Sequence, residues 1–178
     1  MTTAEALSQA KAALTGPEPV VFLMCGIPGS GKTAFALQLE KEGCTHLSMD
    51  DEILSRFGRY GSDYPPRMYG PHQIAAEETL RERLLSLLEE KRHVVVDFSF
   101  WQRTRRYLYT SLIRQHGGTP QIVYLRVSPQ DLHQRLVERS RRFDANAALP
   151  IANELVQQYV IGFEPPVDEE CWTVEPGH

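Results

Sequence analysis

With 178 residues, the chain has the length of one ordinary domain, enough to bury a substantial core. Hydrophobic residues make up 42% and charged residues 24%, the balance of a soluble globular protein, not of a disordered tail or a membrane protein. The formal net charge of −4 excludes a global positive field that would draw the chain to nucleic acid or an anionic bilayer, although a local basic patch stays open.

The predicted elements alternate between helix and strand. Residues 4–14 read as a short N-terminal helix, stopped by Gly16, Pro17 and Pro19. The unbroken apolar run Val20 to Cys25 has the character of a parallel strand covered on both faces. Lys32 to Glu42 is helical in composition, and Gly43 suits its C′ position. A short second strand is expected at Thr45 to Met49, beside the first, with a helix from Glu52 to Phe57 and a long Gly/Pro/Tyr-rich loop over 55–71. Leu80, Leu84, Leu87 and Leu88 mark an amphipathic helix from His72 to Lys91. Val94 to Phe98 reads as a third strand, Arg103 to His116 as a helix and Gln121 to Val127 as a fourth strand. Ser128 and Pro129 offer an N-cap and an N1 proline for the next helix. A further helix over Pro150 to Phe163 ends at Pro165-Pro166, and Cys171 to Val174 closes the series as a strand. The alternation predicts one α/β domain over 1–178 with a mostly parallel sheet, 1–18 being an N-terminal helix and linker.

Cys25, Cys44 and Cys171 have no metal-ligand spacing, and an odd count cannot close a disulfide framework. No stretch approaches the ~20 apolar residues that span a bilayer. The residues through Lys11 lack the apolar run of a leader peptide, so the expected compartment is the cytoplasm.

The most specific pattern is G-x-x-x-x-G-K-(S/T) at Gly26-Ile27-Pro28-Gly29-Ser30-Gly31-Lys32-Thr33. An apolar strand precedes it and a helix follows, which is the context that a phosphate-cradling loop requires. Glycines let the backbone wrap around phosphate with its N–H groups inward, and the following helix adds its positive end. Lys32 can reach the β- and γ-phosphates of ATP, and Thr33 can ligate Mg²⁺.

Acidic residues occupy two strand ends. In a parallel sheet, carboxyl ends of strands face the ligand crevice. Asp50 is placed to accept a proton from an attacking hydroxyl, whereas Asp51 reads as a helix cap. Asp97 closes the strand Val94 to Val96 and is placed to hold Mg²⁺ or to orient an acceptor. Arg135, Arg139 and Arg142 share one helix face at i, i+4, i+7, with Arg141 between them. The poorly periodic stretch after them makes about 135–150 a lid, in which Arg139 and Arg142 are the best-placed transition-state groups. Arg103, Arg105 and Arg106 open a helix, where positive charge calls for a nearby anion such as an acceptor phosphate. Tyr60, Tyr64, Met68, Tyr69 and His72 suit either an acceptor wall or a satellite core under a loop.

Taken in order, Gly26 to Thr33, Ser48-Met49-Asp50-Asp51, Val94 to Asp97 with the arginines after it, Arg135 to Arg142, and Phe163-Glu164-Pro165-Pro166 to Glu170 resemble the small P-loop kinases. The resembled branch contains polynucleotide 5′-hydroxyl kinases, zeta toxins and antibiotic phosphotransferases, and the likeness covers most of the chain from Val20 onward. It implies a three-layer fold with a five-stranded parallel sheet and an arginine-bearing lid. It also implies Asp50 as general base, Arg135 among the nucleotide contacts, and Thr33 with Asp97 at the metal. The expected activity is transfer of the γ-phosphate of ATP to a small-molecule hydroxyl. A 5′-hydroxyl nucleic-acid end is the alternative acceptor, and a nucleotide-dependent switch or binding module is the non-enzymatic alternative.

Overall fold

The computed structural model of the chain describes residues 1–128, 131–132, 134–135 and 161–176. Five strands form one sheet in the order β2-β3-β1-β4-β5, and every pairing is parallel. They are β1 (Val20–Cys25), β2 (Thr45–Ser48), β3 (Val94–Asp97), β4 (Thr119–Leu125) and β5 (Cys171–Val174). All six residues of β1 are buried, as its continuous apolar run demands of a strand covered on both faces.

Helices cover the two sides. On one side lie α1 (Thr3–Ala13) and α2 (Lys32–Lys41), which bury Ala6, Ala10, Phe35, Ala36 and Leu39 against Phe22, Met24 and Val95. On the other lie α3 (Met49–Phe57), α4 (Tyr69–Glu89) and α5 (Arg103–Gln115), which set Ile53, Leu80, Leu84, Tyr109 and Ile113 against Val21, Leu23 and Val96. The result is the expected three-layer α/β fold. A capping box joins Thr2 and Glu5 at the start of α1, and the Met1 amine donates to the Thr173 carbonyl at 2.9 Å. The N-terminal segment is thereby tied to the edge of β5.

The second strand departs from its expected position. It does not lie beside β1, because β3 intervenes, with Val21 opposite Val94 on one side and Ser48 opposite Asp97 on the other. Composition explains the order. Val94 to Val96 are fully buried and suit an interior strand, whereas Thr45 and His46 are half-buried and suit an edge.

Two helix starts also differ from expectation. The third helix begins at Met49, with Ser48 as its N-cap accepting the Asp51 N–H at 3.1 Å. Asp51 is therefore not the cap, and both Asp50 and Asp51 lie in the first turn, where carboxylates favour the helix dipole. The fourth helix starts at Tyr69, since Pro71 falls in a first turn that needs no N–H from it, and Pro66–Met68 forms a 3₁₀ turn just before. Ser128 caps the next helix as expected, its Oγ accepting the Asp131 N–H at 3.1 Å. Arg139, Arg142, most of the 135–150 lid and most of the helix expected over 150–163 lie outside the described residues.

Candidate active site

The loop between β1 and α2 folds as its glycines require. Gly26, Gly29 and Gly31 have φ of 147°, 83° and 101°, which L side chains rarely adopt. Gly26 is further constrained by space: a Cβ there would lie 2.6 Å from Ser30 Oγ and 3.0 Å from the Leu125 carbonyl. Gly31 is the N-cap of α2 and supplies no side chain to it, so the first N–H groups of that helix stay available to an anion. Lys32 is only 8% exposed and turns back on the loop, donating from Nζ to the Ile27 carbonyl at 3.0 Å.

The residues expected at the metal are brought together. The Thr33 hydroxyl donates to Asp97 Oδ2 at 2.7 Å, joining the first turn of α2 to the end of β3. Sequence reasoning missed the third member of this group, His46. Its Nε2 lies 3.6 Å from the same Asp97 oxygen, and its side chain is 5% exposed. Burial opposes charge on this imidazole, but the Asp97 carboxylate outweighs it and raises the pKa above the ordinary value. A hydroxyl and a carboxylate at hydrogen-bond distance are hard oxygen donors, and this donor set suits Mg²⁺.

Asp50 sits half-buried in the first turn of α3, at the carboxyl edge of the sheet beyond β2. Because β3 intervenes, Asp97 occupies the position nearer the loop and Asp50 stands one strand further out. Burial, then the neighbouring Tyr60 and the charge of Asp50, raise the pKa of the Tyr64 phenol, which places Asp50 near the aromatic cluster. In that cluster Phe57 stacks on His72 at 3.8 Å, while Tyr60 meets Tyr64 and Tyr69 edge-on at 6.0 and 5.9 Å. Phe57, Tyr60, Met68 and Tyr69 pack, partly buried, on the α4 side of the main core, and Tyr64 lies within it.

Two of the three arginines that open α5 are taken up by carboxylates of the chain. The Arg103 backbone N–H donates to Glu164 at 2.6 Å while its exposed guanidinium stands 4.0 Å from Glu169, and Arg105 pairs with Glu77 at 2.6 Å. Arg106 is fully buried: it donates Nε and Nη2 to Glu169 at 2.9 and 2.6 Å, and Nη1 to the Phe100 carbonyl at 2.9 Å. The anions that this helix start calls for are the chain's own carboxylates, about 60 residues downstream for Glu164 and Glu169. This pairing supports the loop. Ser99 and Phe100 hold φ of 76° and 37°, the Ser99 carbonyl accepts the Gly26 N–H at 3.1 Å, and the Cys25 thiol donates to the Phe100 carbonyl at 3.3 Å. Arg135 reaches the phosphate loop, donating to the Ser30 carbonyl at 3.1 Å and to the Pro176 carbonyl at 3.2 Å.

Solved structures share this fold at low identity. A protein from Chloroflexus aurantiacus assigned only provisionally as a kinase superposes with a TM-score of 0.65 at 21% identity, over 90% of this chain and 87% of its own. An unliganded sugar kinase from Janibacter sp. gives 0.59 at 18%, over 89% and 86%. A chain of the Pnkp1/Rnl/Hen1 complex gives 0.56 at 18%, over 66% of this chain and 39% of that one. No curated protein sequence matches. The AAA domain family model matches residues 21–166, from β1 to the proline pair before β5. The chain therefore belongs to the AAA domain family and is a small protein of the P-loop kinase-like fold.

Proposed function

We propose that this protein is an ATP-dependent phosphotransferase that moves the γ-phosphate of ATP to a hydroxyl of a small-molecule acceptor. The observation that carries transfer over simple nucleotide binding is the position of Asp50. It stands in the first helical turn after β2, on the same edge of the sheet as the P-loop, where an acceptor would enter. A nucleotide-dependent switch needs no such base.

ATP binds along Gly26 to Thr33, with Mg²⁺ held by Thr33 and Asp97; the ion, when bound, neutralises phosphate charge and orients the chain of phosphates. Lys32 exchanges the Ile27 carbonyl for a phosphate oxygen. Asp50 takes the proton of the acceptor hydroxyl as its oxygen bonds to the γ-phosphorus, and the bond to the β-phosphate oxygen breaks to release ADP. Arg139 and Arg142 stabilise the charge that develops on the transferring group, and Arg135 anchors the lid beside Gly31.

A small acceptor is favoured by the arginines. Arg105 and Arg106 are engaged with Glu77 and Glu169, and Arg56 with Glu52 and Thr79. Of the five arginines available to grip a polynucleotide, Arg56, Arg59, Arg103, Arg105 and Arg106, three are thus taken up within the chain. The likeness to a chain of the Pnkp1 complex keeps a 5′-hydroxyl end as the second reading. Incubation with γ-labelled ATP, Mg²⁺ and a panel of sugars, nucleosides and a 5′-hydroxyl oligonucleotide decides between them. Label in a small compound supports the proposal. Efficient labelling of the oligonucleotide replaces the acceptor, and tight ATP binding with no acceptor labelled anywhere rejects transfer.

A further inference from the structure

His46 belongs to no motif, yet it is buried beside the phosphate loop. On β2 it pairs with Val95, and Asp97 lies two residues further along the same face of β3, under α2. Its Nε2 is buried and has no hydrogen-bond partner among the described residues. Leaving such an atom unpaired costs about 1–3 kcal/mol, so a partner is expected in some functional state. Asp97 Oδ2 stands 3.6 Å away, just beyond bonding range, and that oxygen already accepts the Thr33 hydroxyl at 2.7 Å.

A carboxylate oxygen accepts from more than one donor, and a hydroxyl can ligate magnesium through a lone pair while it still donates, so the imidazole N–H can join the Thr33 hydroxyl on Asp97. Asp97 is only 8% exposed, and its orientation at the metal depends on the donors around it. The imidazole has only ~0.6 Å to close before it reaches an ordinary hydrogen-bond length.

We infer that His46 is a positioning residue that donates a second hydrogen bond to Asp97, beside that of Thr33, when magnesium–nucleotide binds, and so holds the carboxylate in its binding orientation. The inference rests on the magnesium–nucleotide site of the proposed function. It concerns binding, not transfer, so it is tested without an acceptor. A side chain that merely fills space beneath α2 would make no such bond.

The test uses the full chain and calorimetric ADP titrations at one fixed pH, with excess Mg²⁺ and with EDTA, for the native protein, His46→Gln and His46→Leu. Glutamine keeps an N–H donor of similar reach, and leucine keeps bulk alone. The readout is the ratio of the dissociation constant in EDTA to that in Mg²⁺. Loss of an outer-shell donor of this kind weakens metal affinity by about 10–100-fold. The expected result is a ratio at least ~10-fold smaller in His46→Leu and within ~3-fold of native in His46→Gln, with affinity in EDTA equal in all three. In parallel, ¹⁵N spectra of the native histidines should show the His46 Nε2 resonance shifting on addition of Mg²⁺–ADP. A native ratio retained in His46→Leu, an equal loss in both variants, or an unmoved Nε2 resonance overturns the inference. If His46→Leu fails to fold, the His46→Gln ratio and the native spectrum decide. A native protein whose ADP affinity ignores Mg²⁺ removes the metal site itself, and both readings fall together.

Discussion

Replacing Arg106 with methionine tests whether the pair with Glu169 underpins the phosphate loop. Methionine nearly matches the buried stem but removes three donated hydrogen bonds, two to Glu169 and one to the Phe100 carbonyl, at 2.6–2.9 Å. The carboxylate left behind is 14% exposed, and among the described residues Arg103, 4.0 Å away, is its remaining ion-pair partner. Removing one member of a buried pair costs about 3–5 kcal/mol. Slight access of water to Glu169 lowers the figure, and the Phe100 carbonyl, left with the Cys25 thiol as its weak donor, raises it, so about 3–5 kcal/mol stands as the expected loss. Against a total stability of about 5–15 kcal/mol this is a large fraction. Because Ser99 and Phe100 hold strained backbone and the Ser99 carbonyl receives the Gly26 N–H, Arg106→Met should also weaken ATP binding. Pairing it with Glu169→Leu removes the stranded charge and should restore stability to within about 2 kcal/mol of native. Equilibrium urea denaturation, with constant slope checked across variants, measures both. A loss under ~1 kcal/mol for Arg106→Met, or a double variant no better than the single, refutes the reasoning.

Three further outcomes follow from the site. Lys32→Ala should weaken ATP binding in calorimetry and abolish turnover, because its Nζ is already positioned at the loop by the Ile27 carbonyl. Asp50→Asn should lower turnover ~10²-fold or more with ATP affinity nearly intact, and Asp51→Asn, at an exposed position whose N–H is bound to Ser48, should do less; equal losses in steady-state kinetics would remove the distinction. Burial pushes the Cys25 and Cys44 thiols up to about 12 from 9.0. At pH 8 their thiolate fractions are about one in 10⁴, so a thiol reagent should modify Cys171 first and the other two only on unfolding. Their folded pKa values lie above the unfolded ones, so the contribution to stability is complete below pH 9.0 and is lost as the pH climbs toward about 12.

What the sequence made legible was local. The apolar run Val20 to Cys25, the loop glycines, and Lys32 with Thr33 at a helix start specify β1, the phosphate loop and α2 within 20 or so neighbouring residues, and all three formed as read. Strand order was not legible, because a parallel neighbour is chosen by burial across the sheet; the polar edge character of Thr45 and His46 was the available signal. The start of α3 was misplaced because Ser48 competes with Asp51 for the cap, and a strand-end serine reads equally well as either. Arg106 was read as seeking an external anion because its partner Glu169 lies 63 residues away and is brought in only by the crossing of the C-terminal segment. His46 carried no spacing signal at all, since its meaning comes from Asp97 on the adjacent strand.

The central claim is that the γ-phosphate leaves ATP for a hydroxyl acceptor and not for water. Time-resolved ³¹P NMR of ATP, Mg²⁺ and the protein, with and without pooled small hydroxyl compounds, separates these fates in one tube. With acceptors present the ATP signals should decay into ADP and an equal quantity of a new phosphomonoester, and in Asp50→Asn both should appear ~10²-fold or more slowly. ADP accompanied only by inorganic phosphate, at a rate indifferent to every acceptor, would contradict the claim.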